Sequence, residues 1–154
     1  MFRTALLLSL VCAQPAFALS CLAPSVAQST REAVQSDERY RIVLGTFTYD
    51  EVSLPADGTQ GRQTSIPAVF EGDALTLEGF DDPTKDQVVL QVECITNVCG
   101  SITPGVPTLA FLRQDGDDVV LDVNACPQWV FTDPSSQQIA TVVECITGEG
   151  CPVE

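Results

Sequence analysis

The residues with the most chemistry to offer here are cysteines. Six of them, Cys21, Cys94, Cys99, Cys126, Cys145 and Cys151, lie beyond the first twenty residues, and the seventh is Cys12. A cysteine can ligate a metal, carry thiol redox chemistry or close a disulfide, and spacing and compartment decide which. Two of the six stand in a repeated phrase: Val92-Glu93-Cys94-Ile95-Thr96 recurs as Val143-Glu144-Cys145-Ile146-Thr147. Each copy is soon followed by another cysteine, Cys99 and Cys151, so oxidation would close two short loops. Cys21 and Cys126 then remain for one long tie. No Cys-x-x-Cys pair of the thiol-redox kind is present, and an even six is what a disulfide framework requires.

Other chemistry is sparsely provided. The chain has no histidine, which removes Ser-His-Asp and Cys-His catalysis and takes the commonest ligand from a zinc site. No Gly-rich phosphate loop follows a strand, and the carboxylates show no spacing that singles out an acid/base pair. Asp115-Gly116-Asp117-Asp118 offers oxygens to calcium, but four residues supply too few, and Asp-Gly between apolar runs reads as a hairpin turn. Trp129, beside Cys126-Pro127, reads as the plug of a barrel end next to a disulfide in preference to a ligand platform. The expectation is a non-enzymatic protein with no cofactor and no metal.

The start of the chain places it in an oxidising compartment. Met1-Phe2-Arg3 is a short basic start, and Ala5 to Ala13 is an apolar core too short to span a bilayer. Ala16-Phe17-Ala18 then supplies the small-x-small pattern of signal peptidase. Residues 1–18 are therefore read as a signal peptide and 19–154 as a single domain. Ala18-Leu19-Ser20 fits the same pattern and would make Cys21 the first residue. A lipidated Cys21 fits less well, since polar residues separate it from the apolar core. No later apolar segment is long enough for a membrane span. The formal charge is −14, one unit more negative once Arg3 leaves, which keeps a monomer soluble and repels the phosphates of nucleic acid. A periplasmic or secreted location follows.

The rhythm of apolar and turn residues outlines the elements. A short helix is expected from near Ser25 to Asp37, then a long strand from Tyr40 to Tyr49, with Gly45 as a bend or bulge. Pro55 to Gln63 is a polar loop. Strands are expected at Thr64 to Phe70, with Pro67 at an edge or bulge, and at Ala74 to Phe80, after which Asp81-Asp82-Pro83-Thr84 turns the chain. Gln87 to Ile95 places Val88, Leu90, Val92 and Cys94 on one face. Thr108 to Leu112 and Val119 to Val123 flank the acidic hairpin, and Pro127 to Phe131 is a short apolar passage. Ser135 to Cys145 reads as a helix with Ile139, Val142, Val143 and Ile146 on one side, capped from Asp133 or Ser135. Five or six strands with a helix near each end predict an all-β fold, a small closed Greek-key barrel.

The run Val98-Cys99-Gly100, the Gly/Pro loop after it, the strand from Thr108, the acidic hairpin and the strand leading to Cys126 resemble the central part of netrin-like domains. Tissue inhibitors of metalloproteinases are the best-known members. The leader and Cys21-Leu22-Ala23-Pro24-Ser25 also resemble a family of exported bacterial proteins. The resemblance implies an OB-type barrel. For the inhibitors it further implies a free N-terminal cysteine that meets a protease's zinc. Cys21 fills that role only if cleavage follows Ser20, and Ala23 stands where a second cysteine is required. Cys99 and Cys126 match the partner cysteines, which implies a competing pairing of Cys21 with Cys99 and Cys94 with Cys126. The expected function is thus an exported binding or structural module of the cell envelope; the alternative is a secreted metalloprotease inhibitor. The candidate binding loop runs from Asn97 to Pro107, with Asn97, Val98, Gly100, Ser101 and Ile102 as contacts for an envelope protein or glycan.

Overall fold

The computed structural model describes residues 21, 25–50, 63–95, 98–148, 150 and 151. The expected leader and Asn97 lie outside these, as does the expected loop before Gln63. Helix α1 (Val26–Gln35) begins at Ser25, whose hydroxyl accepts from the Gln28 N–H at 3.1 Å. That bond satisfies one of the first-turn donors a helix leaves open. Helix α2 (Ser136–Thr147) begins at Ser135 with a reciprocal capping box to Gln138 and ends at Gly148, φ 85°. Only a residue at ease in the left-handed region can close a helix in that way.

Among the described residues, seven strands lie between the two helices: β1 (Tyr40–Tyr49), β2 (Gln63–Leu75), β3 (Phe80–Ile95), β4 (Val98–Cys99), β5 (Thr108–Asp115), β6 (Asp118–Val123) and β7 (Val130–Thr132). β1 pairs with β2, β2 with β3, β3 with β6 in parallel, β6 with β5 and β5 with β1. The order of pairings thus returns to the strand where it began. β7 adds to β5, and β4 to the end of β3. The described residues are mostly β-sheet, with two helices.

Period-two alternation sorts the side chains into two cores. Val43 and Phe47 of β1, Phe70 of β2, Leu90 and Val92 of β3 and Leu112 of β5 join the larger one. Ile42, Leu109 and Phe111, on the opposite faces of β1 and β5, pack against Val26 and Ala33 of α1 and Val142 of α2. β5 is therefore covered on both faces, which is why Thr108 to Leu112 is buried throughout. Burying each of its large apolar side chains contributes about 1.5–3 kcal/mol. Ser29 donates to the Gln128 carbonyl at 2.6 Å, pinning α1 to the segment before β7.

Two local expectations are corrected. The strand expected at Thr64 to Phe70 continues to Leu75 as β2; the second strand expected at Ala74 to Phe80 is replaced by the end of β2, a turn at Thr76–Gly79 and the start of β3, and Asp81–Thr84 lie within β3 instead of turning the chain. The reason for the first is a close crossing: Gly72 stands in register with Gly45, and a Cβ on Gly72 would lie 2.5 Å from the Gly45 Cα. Gly45, expected as a bend or bulge, instead lets β1 and β2 run together with Gly72, and register continues unbroken through it. The reason for the second is Gly79, which takes φ 125° while its carbonyl accepts from the Thr76 N–H at 2.8 Å. Pro83 then lies where β3 is paired with β2 alone, an edge position that suits a residue without an N–H. Pro67 likewise stands one residue beyond the last β1 partner of β2.

Candidate functional site

The cysteines pair as Cys21–Cys126, Cys94–Cys99 and Cys145–Cys151. This is the arrangement of one long tie and two short loops; the competing Cys21–Cys99 pairing is not found. The tie joins the segment before α1 to the chain just after β6. Cys145, near the end of α2, is joined to Cys151, whose sulfur lies 3.5 Å from the Ala27 carbonyl of α1. Disulfides of this number persist in an oxidising environment. Among the described residues no helix is long and apolar enough to cross a membrane.

Cys94 and Cys99 face each other across β3 and β4, and their bond staples the hairpin at the start of the candidate binding loop. The loop is fastened well beyond that bond. The Gly100 N–H donates to the Glu93 carbonyl at 2.9 Å, and a Cβ at Gly100 would fall 1.9 Å from the Val123 carbonyl oxygen. Ile102 is buried in the larger core, and its carbonyl accepts from the Tyr49 hydroxyl. The Gly105 N–H donates to the Phe47 carbonyl at 3.0 Å, and Pro107 accepts from the Asp133 N–H at 2.8 Å.

These anchors redistribute the expected contact residues. Gly100 and Ile102 face the fold and hold the loop. Val98, Ser101, Thr103, Gly105 and Pro107 are the exposed ones. Val98 and its cross-strand partner Ile95 remain 40% and 38% exposed, so the stapled hairpin carries an apolar pair into solvent.

A concavity lies at the end of β1 away from this loop, and nothing in the motif reading pointed to it. It encloses about 500 Å³ and is lined by Arg39, Arg41, Asp86, Leu112, Gln114 and Val119, with the β5–β6 turn at its rim. Arg41 shares the face of Val43 and ion-pairs with Asp86, which also accepts from the Thr84 hydroxyl at 3.0 Å. Arg113 points to the opposite face, between Asp122 at 3.1 Å and Asp115 at 3.2 Å. The hydrogen bond with Asp122 holds its guanidinium above the ordinary value, against the opposing effect of burial. Beside it, Tyr40 stacks on Trp129 with ring centroids 4.7 Å apart. Burial, and then the charge of Asp122, push the Tyr40 phenol above its usual 10.0. Trp129 therefore packs within the fold, as its place beside Cys126 suggests. The signal that would have found the concavity is the Arg39-x-Arg41 spacing at the start of a strand in so acidic a chain.

Comparison of the chain with known protein families, with curated proteins and with solved structures finds no match.

Proposed function

We propose that the chain is an exported, non-enzymatic binding module of the cell envelope, built on an OB-type barrel and periplasmic or secreted after loss of its leader. The barrel reading is supported by a circuit of pairings that leaves β1 through β2 and returns to it through β5, with one parallel step between β3 and β6. The observation that carries the binding reading is the multiple fastening of the loop between Cys94 and Thr108. A loop ordered before it meets a partner loses less conformational entropy on binding. Its exposed apolar pair at Ile95 and Val98 gives such a partner, an envelope protein or glycan, something to bury.

The inhibitor alternative uses Cys99 as a partner for an N-terminal cysteine. Cys99 is bonded to Cys94, so the binding module is the reading we adopt. Affinity capture from the exported fraction tests it, comparing wild type with Cys94→Ser/Cys99→Ser. Capture of the wild-type partner should weaken in the double variant while the far-UV circular dichroism stays nearly intact. Undiminished capture by a folded double variant would sink the recognition loop.

A further inference from the structure

We propose that the concavity at the start of β1 binds a small organic carboxylate, its charged head between Arg39 and Arg41 and its apolar body over Leu112 and Val119. The site lies at the opposite end of β1 from the recognition loop and does not depend on it.

Charge distribution is the first argument. The chain carries only seven Lys and Arg against 21 Asp and Glu, yet two of the seven, Arg39 and Arg41, line one concavity, while Arg113 beside them points to the other face. Most of the surface repels anions, and here cations converge. Their bonding separates them further. Arg41 is matched by Asp86, and Arg113 by Asp122 and Asp115. Arg39 has no ion-pair partner among the described residues. Its backbone is nevertheless fixed, because its carbonyl accepts from the Gln114 N–H at 2.9 Å. An unmatched guanidinium on a held backbone is a ready donor to a carboxylate, with little ordering left to do.

Shape and chemistry then narrow the ligand. About 500 Å³ suits a small molecule. Leu112 is buried in the larger core and the half-buried Val119 packs against that core, so Val119 gives the floor an apolar patch on a rigid base. The Gln114 amide is committed to the Gly116 and Asp118 carbonyls at 2.9 and 3.1 Å, which leaves the arginines as the polar grip. Asp86 and Asp117 stand in the same lining. One negative charge answers Arg39, whereas a second would meet these carboxylates; this favours a carboxylate over a phosphate ester or a polyanion.

Octanoate, inorganic phosphate and heptan-1-ol are suitable probes, titrated into isotopically labelled oxidised protein and followed by NMR. Octanoate should shift the resonances of Arg39, Leu112 and Val119, and neither the alcohol, which lacks the charge, nor phosphate, which lacks the body, should match it at equal concentration. Arg39→Gln, which breaks no ion pair, should weaken octanoate roughly tenfold. Lys85→Gln, outside the concavity, should leave it unchanged. The proposal fails if millimolar octanoate shifts nothing, if phosphate or heptan-1-ol does as well on the wild-type protein, or if folded Arg39→Gln binds as tightly as wild type.

Discussion

Gly100 shows how one residue can decide whether a loop is seated. Its missing side chain lets the chain pass against the Val123 and Asn124 backbone, where a Cβ would be 1.9 Å from an oxygen. Gly100→Ala must therefore push two backbone segments apart, at about 1–3 kcal/mol, read as a lower denaturant midpoint. An unchanged midpoint would show that the segments yield freely. Tyr40 supplies a test by pH. Its phenol is raised above 10.0 chiefly by burial, so the folded state holds that proton more tightly than the unfolded chain does. Its contribution is complete below pH 10.0 and is lost as pH climbs through the raised value. Tyr40→Phe should accordingly make the alkaline fall in stability shallower; equal slopes in the two proteins would contradict the assignment. Neither residue announces itself in sequence. Gly100 is one of ten glycines, and what marks it is a contact with residues more than twenty positions away.

The same words form different elements in this chain. Val92-Glu93-Cys94-Ile95 ends strand β3, while Val143-Glu144-Cys145-Ile146 lies within helix α2. Intrinsic preference cannot separate identical tetrapeptides, so their surroundings do. The first copy is drawn into the sheet, Val92 between β2 and β6 and Cys94 and Ile95 against β4, with Val92 and Cys94 buried. The second follows a capping box that starts a helix. That start was legible because a cap is local chemistry, as were the Ser25 cap and the Asp115–Asp118 hairpin. The β2–β3 turn was not, because Asp81-Asp82-Pro83 carries stronger local turn signals than Thr76–Gly79, and pairing along a long hairpin outweighs them. The Arg39 concavity was equally hidden, since it is assembled from β1, β3, β5 and β6. If the box starts α2, Ser135→Ala should cost about 1 kcal/mol in thermal or denaturant unfolding. No loss would mean that packing of Val142 alone holds the helix.

Across the whole molecule, the cross-links divide by reach. Cys21–Cys126 spans 105 residues of sequence, against 5 and 6 for the other two. In the chain-entropy treatment the long tie stabilises by about 4–5 kcal/mol and each short loop by roughly 2 kcal/mol. Cys21→Ser should therefore lower the unfolding midpoint well beyond Cys145→Ser; the reverse order would show that the short staple beside α1 matters more than the tie. The cysteine pairing was largely legible from spacing, because two cysteines so near one another can close only a small loop. On the proposed reading the chain is an exported domain, and its three disulfides are the staples that hold it. Mass spectrometry of the protein recovered from the exported fraction, digested without reduction, tests that reading most directly. The predicted result is a chain beginning at Leu19 with Cys21–Cys126, Cys94–Cys99 and Cys145–Cys151 peptides and no free thiol. A retained leader, a Cys21–Cys99 peptide or free thiols at these six positions would contradict it.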